Sequence, residues 1–233
     1  MIRLLPSALS AALVFATLAI PANAHDLACR GDERDCQRFV GETARHGHRV
    51  PAKGGPKHTV NAGRVALDLT AWELERERRC LAIAAYAEAR DQGTAGMLAV
   101  MWVILNRVER GMNGADRPCE AVAQPAAIEA MSRPELGKQL RAIRRGAMPP
   151  LVRTDAYPDE LALRNARLLA FRALGTGDRL PDDLTKNATH YWSPKQQKRL
   201  GRSKPDWAKT LVRTARIGDH VFYRLRVQVA EAR

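Results

Sequence analysis

Glu88 stands in the most apolar stretch of the chain, CLAIAAYAEARDQGTAGMLAVMWVILNR from Cys80 to Arg107. Uncharged residues fill Cys80 to Ala87 before it, and again Gln92 to Asn106 once Arg90 and Asp91 are passed. That pattern predicts two buried helices joined at Gln92-Gly93, with a carboxylate at the end of the first. On a helix Leu81, Ala85 and Glu88 fall at i, i+4 and i+7, so the acid shares a stripe with apolar residues. Partial removal from water raises a carboxylate's pKa and lets it hold a proton near neutrality, as a general acid must. The competing reading is a structural carboxylate paired with Arg90 or Arg107, since ion pairs also perturb acids.

Other chemistry is sparse. No Ser or Cys nucleophile motif stands out, and neither H-E-x-x-H nor a phosphate-binding loop is present. His46-x-His48 has no clear further ligand, so no metal site is expected. What remains around Glu88 is polar and aromatic: Asn106, Gln124 and Asn187, then His190-Tyr191-Trp192 and His220 to Tyr223. Aromatic faces beside hydrogen-bonding side chains suit a sugar, with its C–H faces and hydroxyl edges. On this reading Asn106, Gln124, Asn187, His190, Tyr191, His220 and Tyr223 contact substrate, although His190 and His220 also have a structural reading. A single acid departs from the two-carboxylate pattern of glycosidases. One group suffices if the substrate supplies its own nucleophile.

The elements that must position these groups follow from caps and breakers. Thr70-Ala71-Trp72-Glu73 is a capping box that opens a helix ending near Ala89. Thr94 is placed to cap the second helix, which runs to about Arg110 and is stopped by Gly111, Asn113 and Gly114. Short helical pieces are expected from Cys119 to Met131. A further helix starts at Ser132-Arg133-Pro134-Glu135 and carries the basic strip Lys138, Arg141, Arg144 and Arg145. Pro158 to Leu174 forms another. Ala188 to Trp192, Thr210 to Ile217 and His220 to Leu225 read as strands, the last two a hairpin across Gly218-Asp219. The fold class is mainly α (α+β), with a small late antiparallel sheet.

The chain begins with a separate category of sequence. Met1-Ile2-Arg3, the apolar run Leu4 to Ile20 and Ala22-Asn23-Ala24 make residues 1–24 a cleavable signal peptide. Residues 25–69 read as a polar, broken extension with a Gly/Pro/Lys-rich linker from His46 to His58, residues 70–226 as the catalytic domain and 227–233 as a tail. Export, to the periplasm or outside the cell, places Cys29, Cys36, Cys80 and Cys119 in an oxidising compartment. Three pairings are possible, the simplest being Cys29–Cys36 with Cys80–Cys119. No close ligand spacing supports a zinc site. With 38 Lys and Arg against 25 Asp and Glu the formal charge is +13, and loss of the leader removes only Arg3 from it. An exported chain so basic expects an anionic surface. Aromatic content of 5% and the absence of any nucleic-acid motif argue against nucleic acid, and no other segment reaches the ~20 apolar residues of a membrane helix.

The order LAIAAYAEAR (Leu81–Arg90), GMLAVMWVILNRV (Gly96–Val108), PCEAVAQP (Pro118–Pro125), NATHYWSP (Asn187–Pro194), PDWAKT (Pro205–Thr210) and IGDHVFYR (Ile217–Arg224) resembles the SleB-type cell wall hydrolases, the spore-cortex-lytic family. The resemblance implies a lysozyme-like helical domain acting as a monomer on peptidoglycan glycan strands, as a lytic transglycosylase. It puts the catalytic acid at Glu88, and it implies neither metal nor cofactor. Where the family usually carries Gln-Phe-Ser, this chain has Ala127-Ile128-Glu129, which leaves open a second acid at Glu129 or a weakened groove. An N-acetylmuramoyl-L-alanine amidase, with Glu88, His190 and His220 as zinc ligands, and a basic wall-binding module are the alternatives.

Overall fold

A computed structural model describes residues 50–124, 134–151, 154–155, 157–175, 180 and 182–226. The first element among the described residues is not one the sequence reading expects. Strands β1 (Lys57–Ala62) and β2 (Val65–Thr70) form an antiparallel hairpin. The segment reads as polar because alternate residues face water; Val60, Ala62 and Leu69 point inward and are buried. Order therefore begins well before Thr70. The signal-peptide segment, Cys29, Cys36, the His46/His48 pair and Ala127-Ile128-Glu129 lie outside the described residues.

Helix α1 (Ala71–Ala89) is the axis of the molecule. The capping box is present in full: Thr70 Oγ1 accepts from the Glu73 amide at 3.2 Å and Glu73 Oε2 from the Thr70 amide at 2.9 Å. Arg117 adds a 2.8 Å ion pair to the other Glu73 oxygen, which, ahead of the backbone bond, holds that carboxyl at about 2. From Cys80 to Ala87 the helix is buried on every side, which its run of alanines permits: small side chains let neighbours close on all faces. It touches β2 and the helices α2 (Gly93–Glu109), α3 (Pro118–Ala123), α4 (Pro134–Arg144) and α5 (Glu160–Ala173). Cys80 on α1 is disulfide-bonded to Cys119 on α3, with Cα atoms 5.1 Å apart. Thr94 does not cap α2. It sits inside the first turn, buried, with its hydroxyl unpartnered among the described residues, and the helix begins at Gly93 instead.

The late sheet is as expected in kind. Strand β5 (His220–Arg224) lies centrally between β3 (His190–Trp192) and β4 (Val212–Ile217), all antiparallel, with short helices α6 (Pro194–Arg199) and α7 (Trp207–Thr210) in the connection. The register decides which side chains share a face. Tyr191 pairs with Phe222, and Ala215 and Ile217 pair with Phe222 and His220; this face packs on Ala99 and Val103 of α2. His190 and Trp192 pair with Tyr223 and Val221, and these face the other way, against Trp207, Ala208 and Leu211.

Candidate active site

Helix α1 ends where Glu88 stands. Ala89 leaves helical geometry at φ −140°, Arg90–Gln92 make one 3₁₀ turn, and Gly93 at φ +66° admits the reversal into α2. Leu81 and Ala85, on the acid's own stripe, are fully buried, whereas Glu88 itself is half-buried. The stripe thus carries the carboxylate from the core to its edge. The Arg90 guanidinium lies over the Tyr86 ring, 5.5 Å from its centre.

Arg107 is the partner that matters electrically. It projects from α2 into the core, 6% exposed, and its Nε donates to the Thr189 carbonyl at 2.7 Å. Burial lowers its pKa, opposed by the charges of Tyr191 and Glu88, so acid, guanidinium and phenol lie within electrostatic reach of one another. Next to them, Gln92 Oε1 accepts the Asp219 amide at 2.7 Å and locks the β4–β5 turn to the α1–α2 junction. Gly218 in that turn has φ +56°, and a Cβ there would collide with the Gln92 side chain, so the approach requires glycine. Behind the turn His220 is buried among Tyr191, 5.2 Å away edge-on, and Phe222. Its pKa is lowered by burial, with Asp91 and Asp219 pulling the other way, and its Nδ1 has no hydrogen-bond partner among the described residues.

The predicted contact residues divide. Tyr191 and His220 share the sheet face that packs on α2, with Arg107 in electrostatic reach of Tyr191 and Asp91 in reach of His220. His190 and Tyr223 belong to the opposite face, where His190 stacks at 5.2 Å on Trp207. Burial, with the Arg107 charge second, pushes His190 down to about 4, and Thr189 Oγ1 lies 2.9 Å from its Nδ1.

Asn106 is 1% exposed and spent on the protein itself: its amide donates to Asp183 Oδ2 at 3.0 Å and the Ala188 carbonyl at 2.9 Å, and its oxygen accepts from Arg64 at 2.8 Å. It clamps the 183–188 turn, with both its amide groups engaged by the protein. Asn187 is exposed at φ +64°, its side chain also taken by Arg64 at 2.6 Å. Gln124 binds the Met112 carbonyl and Asn113, holding the turn after α2.

Sequence reasoning passed over Gln92 and Arg64, whose partners lie far along the chain, and gave Arg107 only a pairing role. A charged residue inside an apolar helix was the visible signal for Arg107. Among the described residues no three metal-ligating side chains converge. His190 and His220 lie on opposite faces of the sheet and, among the described residues, form no three-ligand group with Glu88.

The molecule thus holds an acid at the end of a buried helix, on a strongly basic chain. The family model for cell wall hydrolases matches residues 91–223, more than half of the chain. The chain belongs to the cell wall hydrolase family and is an enzyme acting on the cell wall. The match begins after Glu88, so the acid's role does not follow from it. The catalytic domain of the Bacillus cereus SleB protein is similar at 22% identity, covering 64% of this chain and 91% of that one, with a TM-score of 0.43. Likeness of that degree is too slight to carry residue roles across. No curated protein matches the chain.

Proposed function

We propose that the protein is an exported lytic transglycosylase that cleaves the bond between N-acetylmuramic acid and N-acetylglucosamine in peptidoglycan, with Glu88 as acid and then base. The observation that carries this reading is a half-buried carboxylate at the end of the core helix, within electrostatic reach of the buried Arg107, in a chain of the cell wall hydrolase family. Glu88 gives its proton to the glycosidic oxygen. The oxocarbenium-like sugar is captured by its own C6 hydroxyl, whose proton returns to Glu88, and a 1,6-anhydro ring closes. One carboxylate serves both steps because the nucleophile belongs to the substrate.

Arg107 stabilises the carboxylate form that the first proton transfer creates, and its bond to Thr189 keeps it from swinging away. The excess of basic side chains supports retention on an anionic wall. Among the described residues no helix is long and apolar enough to cross a membrane.

The test is mass analysis of muropeptides released from isolated sacculi. Anhydro ends are expected. Reducing ends would make the enzyme a muramidase, and free stem peptides an amidase.

A further inference from the structure

The outer face of the late sheet is not used by the chemistry above, yet it is composed as a sugar platform. Alternation along the three strands puts His190 and Trp192 of β3, Val221 and Tyr223 of β5, and Arg213 and Arg216 of β4 on one side, since Arg213 pairs with Tyr223 and Arg216 with Val221. Trp207 lies across this side, 5.5 Å from Tyr223 and 5.2 Å from His190. Trp192 and Trp207 are both only partly buried, and the Trp192 indole is turned toward the Tyr223 hydroxyl at 3.4 Å. The Lys204 ammonium sits 5.9 Å from the Tyr223 ring centre. Arg213 and Arg216 are exposed and have no carboxylate partner among the described residues. Hydrophobic burial alone explains Tyr223 and Val221. It does not explain two half-open indoles bordered by arginines that have no carboxylate partner among the described residues.

We infer that this face is a second glycan-binding surface, separate from the Glu88 edge, that holds a carboxylate-bearing amino-sugar strand by stacking on Trp192 and Trp207 and by pairing with Arg213 and Arg216. The inference rests on the proposed peptidoglycan reading for its ligand. Pyranose C–H faces fit indoles, and the acidic groups of the strand fit guanidinium forks. A polymer gripped beside the acid dissociates less readily than one held at the acid alone, because the second contact is intramolecular.

The experiment uses full-length Glu88→Gln protein, so that binding is read without cutting. Sacculus pelleting at fixed ionic strength compares it with Arg213→Glu/Arg216→Glu and with Arg141→Glu/Arg144→Glu on α4, which makes the same charge change elsewhere. The sheet pair weakens binding about tenfold and the α4 pair far less. Equal weakening by both pairs, or none by the sheet pair, overturns the inference. In parallel, an uncharged N-acetylglucosamine oligomer is titrated while the indole N–H signals of the four tryptophans are followed by NMR. Shifts at Trp192 and Trp207 with Trp72 unmoved are expected; no shift at either overturns the stacking. Parent protein that cuts no sacculi yet shows these shifts would sink the transglycosylase reading and leave this surface standing. Anhydro products without the shifts would do the reverse.

Discussion

Helix α1 carries two acids whose fates differ. Glu77 is fully buried: its carboxylate accepts the Cys119 amide at 2.7 Å and pairs with Arg76 at 2.7 Å, so it ties the first turn of α3 to the central helix beside the Cys80–Cys119 bridge. Burial raises its pKa, with those two partners opposing. Glu88, three turns on, is only half-buried and stands at the end of the helix. The contrast teaches that a perturbed acid in a core is no sign of catalysis. Glu77 is perturbed and entirely consumed by the fold, whereas Glu88 lies at the edge of the core with part of its surface exposed.

The largest effect that sharpens this contrast is on turnover. Glu88→Gln is expected to lower release of muropeptides by at least ~10²–10⁴-fold while leaving the urea midpoint of the parent. A variant that digests sacculi as well as the parent removes Glu88 from the chemistry. Glu77→Ala should do the opposite, costing about 3–5 kcal/mol through the uncompensated Arg76 charge and the orphaned Cys119 amide, with activity per folded molecule retained. Denaturant titration beside an activity assay reads both.

Cys80→Ser/Cys119→Ser opens a cross-link of sequence separation 39 and should cost about 4 kcal/mol, matching the effect of reductant on the parent's melting temperature. If reductant leaves that temperature unchanged, the bridge is not what holds α3.

The two histidines of the sheet give a smaller, pH-dependent term. His190 falls from an ordinary 6.5 to about 4 in the folded state and His220 is also lowered, each chiefly by burial. Their stabilising effect is therefore complete above pH 6.5 and is lost as pH falls toward 4, because the unfolded chain takes the protons first. The His190 share should be about 1–2 kcal/mol once solvent screening is allowed for. Glu77 acts in the opposite sense, its raised pKa being relieved at lower pH. His190→Gln should flatten the stability profile between pH 6.5 and 4; an unchanged slope would mean that the ring is protonated when folded.

The smallest effect belongs to Arg64. It binds Glu109, Asn106 and Asn187 across the surface but is 40% exposed. Arg64→Met should cost about 1 kcal/mol or less. Amide exchange in residues 183–188 should then quicken, since the turn loses its bolt.

Local signals were readable where one residue's chemistry settles the matter. Thr70 and Glu73 announce the start of α1, the Cys80-to-Ala89 run announces its burial, and Gly218-Asp219 announces the β4–β5 turn. The hairpin 57–70 was missed because its alternation is masked by polar outward residues and the Gly/Pro-rich run before it. Thr94 was misread as a cap because a threonine near a helix start looks the same whether it faces a free amide or the core. Asn106 could not be read correctly at all: its four partners in structure, Arg64, Asp183, Thr185 and Ala188, are distant in sequence.

Composition and periodicity alone determined that α1 and α2 would be buried, that Glu88 would end the first of them, and that a small sheet would close the chain. These are consequences of which side chains leave water and of where the backbone can turn. Only the tertiary structure decided that Tyr191 and His220 lie on the sheet face packed on α2 while His190 and Tyr223 lie on the other. A strand's neighbours point to opposite sides, but which side meets the helices depends on the register with β5. The same holds for Arg107, whose sequence position shows a charge in an apolar helix and whose folded position brings that charge to Glu88.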